Sequence, residues 1–133
     1  MKAVCARVTG GLTHYSVIST CDNSGAKLIK LVSVKTKKTV KGRYQSAGVG
    51  DLIQASVISG KPDIRKQVVF AVIVRQKKEY RRPDGTRIAF EDNAAVVLKD
   101  DKGTPKGTLF KGPIAKEACD RWPGIAKMAN IIV

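Results

Sequence analysis

Aromatic side chains are scarce in this 133-residue chain, which has three Phe, three Tyr and one Trp. Only Tyr44, Tyr80 and Phe90 lie near basic clusters, too few rings for a base-stacking platform on single-stranded nucleic acid. Histidine is scarcer still. His14 is the only imidazole, no Ser or Cys stands in a recognised pattern with it, and it reads as an ordinary surface or turn residue. The three cysteines, Cys5, Cys21 and Cys119, are odd in number, widely spaced and without a CxxC pair, which argues against a disulfide framework and a zinc ribbon. Cys5 and Cys21 lie in apolar, strand-like segments, where a free thiol is expected to act as a small buried hydrophobe. The longest apolar run, Val68 to Val74, is far below the ~20 residues that cross a bilayer, and Arg7 interrupts any signal-peptide core. A cytoplasmic protein is expected, with no membrane partner.

Enzyme signatures are missing as well. Gly107 to Gly112 has the glycine spacing of a phosphate loop, but Pro113 stands where its lysine belongs. Gly48-Val-Gly50 begins a dinucleotide fingerprint whose last glycine is replaced by Ile53. Asp22, Asp51, Asp63, Asp84, Asp100 and Asp101 sit in turn contexts, not as a paired acid and base. No catalysis, cofactor, metal or small-molecule substrate is expected.

What the chain has is positive charge: 25 Lys plus Arg against 11 Asp plus Glu, a formal net of +14. Solubility alone asks for a net charge of about 2–8 on a small domain, so a polyanionic partner is implied. Residues 1–99 hold 19 basic and 7 acidic side chains, a net of +12, whereas residues 100–133 hold 6 and 4. The cations cluster in Lys35, Lys37, Lys38, Lys41 and Arg43, in Arg65 and Lys66, and in Arg75, Lys77, Lys78, Arg81, Arg82 and Arg87. Clustered Arg and Lys grip phosphates and bind with strong salt dependence. There is no helix-turn-helix, zinc finger or long basic helix to read a DNA major groove, so folded RNA, read by shape and backbone, fits better.

The apolar pattern is that of strands. Residues 16–21, 26–36 (with a bulge near Leu31), 51–59, 68–74 and 94–99 read as strands, the fourth buried on both faces. Residues 75–82 are too charged to be buried. With the Pro83-Asp84-Gly85-Thr86 turn and residues 87–90 they predict a two-stranded ribbon projecting from the body. A short strand is expected around residues 108–111. Pro113 then opens a helical stretch in which Ile114, Ala118 and Trp122 form one apolar stripe, broken at Pro123-Gly124 with one further turn over 125–129. A Trp on such a stripe packs more often on its own sheet than on a partner. The sum is one domain over 1–133, mainly β. Residues 1–99 form a small antiparallel barrel or sandwich with a basic ribbon, and residues 100–133 a hairpin and helical segment.

The string from Ala71 to Val97 narrows the reading: AVIV, nine residues, Asp84-Gly85, four residues, Phe90, two residues, Asn93, two residues, Val96-Val97. It resembles the signature of the universal large-subunit ribosomal protein fourteen family. Residues 22–27 (DNSGAK), 48–51 (GVGD), 65–67 (RKQ) and 112–117 (GPIAKE) agree, and the RRPDGT and Arg121-Trp122-Pro123 segments look closer to its archaeal and eukaryotic members. The resemblance implies a closed five-stranded antiparallel β-barrel with a ribbon and a short C-terminal helical segment. It implies a structural constituent of the large ribosomal subunit that binds its rRNA. It also implies small-subunit rRNA at an intersubunit bridge, neighbouring proteins including protein three, and an anti-association initiation factor as partners. By position, the three cation clusters match the family's RNA-facing stretches. The near-neutral tail, with Ile114, Arg121, Trp122, Ile125 and Met128, suits protein contacts. A free β-barrel RNA chaperone or translation regulator is the rival reading.

Overall fold

Val68 to Val74 has no polar alternation because both of its faces are covered. In the computed structural model, which describes residues 1–133, Ala71 and Ile73 point into a barrel while Val72 and Val74 point out under the C-terminal segment. The same split holds for Ala94 to Leu98, where Ala95 and Val97 face inward and Ala94, Val96 and Leu98 outward. Alternating side chains of a strand take opposite faces, so a continuous apolar run signals two covered faces.

The chain order is β1 (Leu12–Thr13), β2 (Val17–Thr20), β3 (Ala26–Val34), β4 (Ser46–Ala47), β5 (Leu52–Gly60), β6 (Val68–Arg75), β7 (Tyr80–Arg81), β8 (Arg87–Ile88), β9 (Ala94–Leu98), β10 (Pro113–Ile114), α1 (Lys116–Arg121), α2 (Pro123–Met128) and β11 (Ile131–Ile132). Strands β2, β3, β5, β6 and β9 close into a barrel in that order. The five strands expected at 16–21, 26–36, 51–59, 68–74 and 94–99 are present as the barrel strands, and β3 shifts register between Leu31 and Ser33, at the anticipated bulge. The barrel is not wholly antiparallel: β2 and β9 pair in parallel at Ser19–Ala94 and Thr20–Ala95. A ring of five strands cannot alternate direction all the way round, so one seam must be parallel.

Two cores result. Ile18, Ile29, Leu31, Ile53, Val57, Ile73 and Val97 fill the barrel. A second layer packs Tyr80, Phe110, Ile114, Ala118, Trp122 and Ile125 onto the outer face of β6 and β9. No helix is long and apolar enough to cross a membrane.

Several local expectations change. Pro113 does not open a helix; it pairs with Ile131 in the short parallel β10–β11 ladder, and α1 starts at Lys116. It is Pro123 that takes the first helical position, in α2, where its missing N–H costs nothing. The strand expected at 108–111 reduces to a single bridge between Asp22 and Phe110. Cys5 is exposed, because it lies on the outer side of an N-terminal arm that turns Val4, Ala6 and Val8 inward. Cys21 and Cys119 are buried, and burial pushes both thiols up to about 11. His14 lies in a turn, its Nδ1 2.7 Å from the Val32 carbonyl oxygen.

Candidate nucleic-acid interface

The connection from β3 to β4 carries five cations and is fixed at its base. The Gln45 side chain accepts from the Val34 N–H (2.9 Å) and donates to the Lys37 carbonyl (3.0 Å). Buried Asp51 receives the Lys37 ammonium (3.0 Å), the Arg121 guanidinium (3.3 Å), the Thr36 hydroxyl (3.3 Å) and the Gly48 N–H (2.8 Å). From that base residues 38–44 stand out, every one exposed. Lys41 and Gly42 both have positive φ, 61° and 73°, the signature of a tight reversal that carries the chain out and back. Lys38, Lys41 and Arg43 have no acidic partner, and the Tyr44 ring beside them is 79 % exposed. This loop, not the 75–90 ribbon, is the freely projecting basic arm.

The ribbon is folded down. Arg75 is 8 % exposed, its guanidinium paired with Asp92 (3.0 and 3.2 Å) and donating to the Lys111 and Pro113 carbonyls (3.0 and 2.9 Å). A Cβ at Gly112 would come within 2.6 Å of that guanidinium, so the close approach needs glycine there. Gln76 is wholly buried, accepting from Val49 N–H and donating to the Thr9 and Lys78 carbonyls. Tyr80 and Arg82 both donate to buried Glu117 (2.7 Å each), and Arg82 also reaches the Val133 carbonyl (2.6 Å). Expecting a charged run to be solvated fails here because Asp92 and Glu117, distant in sequence, supply the counter-charges. Arg75 and Arg82 therefore have their guanidinium groups committed inside the molecule, while Lys77, Lys78, Arg81 and Arg87 remain exposed.

Burial works against the charge on Glu117, but the hydrogen bonds from Arg82 and Tyr80 outweigh it and hold its carboxyl below the usual 4.5. Because the folded value is the lower one, Glu117 contributes stability above pH 4.5 that is lost as pH falls through the folded value. Asp22 runs the other way: burial raises its carboxyl, so acid relieves a penalty there. Glu117→Gln is expected to be destabilising at pH 7 and to flatten the acid limb below pH 4.5. Chemical denaturation at a series of pH values checks this, and a difference from wild type that does not shrink in acid contradicts it.

Strand polarity sorts the cations. β3 ends and β5 begins at one end of the barrel, and β6 returns to that end, so the 35–45 loop and residues 76–93 emerge together. Arg65 and Lys66, exposed on the β5–β6 turn, lie at the other end, about 26 Å along β5. The tail residues divide differently from expectation. Ile114, Trp122 and Ile125 are buried in the outer core, Met128 is half-buried against it, and Arg121 is turned to Asp51. The Trp122 indole N–H donates to the Gly50 carbonyl (2.8 Å). What the tail exposes instead is Ile131, Ile132 and Val133. Two further participants escaped the sequence reading. Gln45 carries no sequence signal, but Arg7 does: Val4, Ala6 and Val8 alternate with Cys5, Arg7 and Thr9, a strand-like pattern that turns Arg7 outward.

Residues 11–133 match the family described as ribosomal protein L14p/L23e. The large ribosomal subunit protein uL14 of Nanoarchaeum equitans is 54% identical over 133 residues, all of both chains. The protein of the same name from Picrophilus torridus is 50% identical over 133 residues, again all of both chains. That of Methanococcus vannielii is 47% identical over 132 residues, 99% of each. A family match over residues 11–133 and relatives about half identical over nearly all of both chains agree: the chain belongs to the ribosomal protein L14p/L23e family, a family of ribosomal components and not of enzymes.

Proposed function

We propose that this protein is a structural constituent of the large ribosomal subunit, in the cytoplasm, that binds large-subunit rRNA and contributes to an intersubunit bridge with small-subunit rRNA. The exposed 38–44 loop carries the rRNA reading. Its three unpaired cations project from a base held by Gln45 and Asp51, so they meet a phosphate backbone with little further ordering. Lys35, Lys37, Lys77, Lys78, Arg81 and Arg87 extend this surface at the same end, and Arg65 with Lys66 offers a second, separate contact. Protein three and an anti-association initiation factor are proposed as neighbours of the tail, meeting its exposed apolar end at Ile131, Ile132 and Val133 instead of the buried Trp122 stripe. Reversing the charge of Lys38, Lys41 and Arg43 together tests the reading. Affinity for large-subunit rRNA falls steeply if they grip phosphates and is unchanged if the loop faces solvent or protein.

A further inference from the structure

Arg7, Arg81 and Arg87 lie on three adjacent extended segments. Arg7 bridges Arg81, with its N–H donating to the Arg81 carbonyl (3.0 Å), and Arg81 pairs with Arg87 across the β7–β8 hairpin. Residues directly opposite in an antiparallel pair put their side chains on the same face, with Cα atoms about 4.5–5.5 Å apart. The inner face is fixed by Ala6, Val8, Tyr80 and Ile88, all packed against the outer core, so the three arginines face outward. All three are exposed, and Arg7 and Arg81 share a depression of about 250 Å³ with Cys5, Arg82 and Pro83.

Like charges placed directly opposite are destabilising. None of the three arginines takes part in an ion pair. Of the nearest acids in sequence, Glu79 pairs with Lys78 (3.5 Å), and Asp84 accepts from the Thr86 hydroxyl and N–H (2.7 and 3.0 Å) without bridging to any of the three. The Arg82 guanidinium is spent on Glu117 and the C-terminus. The row spans about 10 Å, two cross-strand spacings of about 5 Å each.

We propose that Arg7, Arg81 and Arg87 form a single phosphate-binding row that grips consecutive phosphates of an RNA strand, whose charge relieves a repulsion built into the free protein. The proposal rests on the rRNA-binding reading and adds to it a second grip, distinct from the 38–44 loop and dependent on the N-terminal arm. It separates two properties that usually move together: removing the row should weaken RNA binding and strengthen the free fold.

The test uses the full chain with Arg7→Gln, Arg81→Gln and Arg87→Gln combined, and a second variant with Lys38→Gln, Lys41→Gln and Arg43→Gln. Melting temperature is measured without RNA, and affinity for a large-subunit rRNA transcript is measured across salt concentrations. The arginine variant is expected to melt above wild type and to lose about 2 from the slope of log affinity against log salt, at roughly 0.7 per contact. A lower melting temperature overturns the built-in repulsion. An unchanged slope, with the slope of the loop variant reduced, overturns the row and leaves the rRNA reading standing. Unchanged slopes in both variants overturn both.

Discussion

Trp122→Ala is expected to destabilise the protein by about 3–5 kcal/mol, the range for deleting a buried large aromatic. At this chain length the melting temperature should fall by roughly 10–20 °C. The ring is 3 % exposed and lies against Gly103, where a Cβ would come within 2.6 Å of it. Its N–H holds the Gly50 carbonyl, at the turn leading to Asp51 and the base of the basic loop. The residue thus ties the helical tail to the barrel end that carries the cations. Trp122→Phe separates packing from hydrogen bonding. It keeps much of the apolar area but orphans the Gly50 carbonyl, and should cost about 1–3 kcal/mol. A cost below 1 kcal/mol for the alanine variant, measured by denaturant titration, would mean the tail does not contribute to the core as described.

Charge reversal at Lys38, Lys41 and Arg43 is expected to lower rRNA affinity by at least about 100-fold near 0.1 M salt. Each neutralised phosphate adds roughly 0.7 to the salt slope, about fivefold in affinity at that concentration, and three contacts multiply. Repulsion from the introduced carboxylates adds to this. Stability should hardly move, since all three side chains are exposed and make no ion pair. Lys37 is a poorer choice for the same experiment. Lys37→Glu would set a second carboxylate beside buried Asp51, and its effect would mix folding with binding. Titrations of wild type and variant against rRNA at several salt concentrations, with melting curves alongside, give both quantities.

The sequence made the barrel strands legible because each has a period or a run that only one environment explains. Val68 to Val74 and Ala94 to Leu98 lack polar positions since the barrel interior covers one face and the tail the other. Asp84 and Gly85 announced their turn correctly, Gly85 taking φ of 92°. What stayed hidden depends on partners far away in the chain. Arg75 looks like the start of an exposed charged ribbon until Asp92 and the carbonyls of Lys111 and Pro113 close around it. Pro113 sits well for a helix start, yet Ile131 captures it into a ladder. The apolar stripe of Ile114, Ala118 and Trp122 was visible in the spacing, but spacing alone could not say whether barrel or partner covers it. The basic segments were legible as composition. Which cations are free was not, because that is decided by the positions of Asp51, Asp92 and Glu117.

The most direct test of the central claim is sedimentation of a cell lysate through a sucrose gradient, at low salt and at 0.5 M salt, with this protein followed across the fractions. A structural constituent of the large subunit resides in the large-subunit and whole-ribosome peaks and stays there at the higher salt, held by many phosphate contacts in an assembled particle. Recovery at the top of the gradient, above all at low salt, would contradict the account and favour a free RNA-binding module.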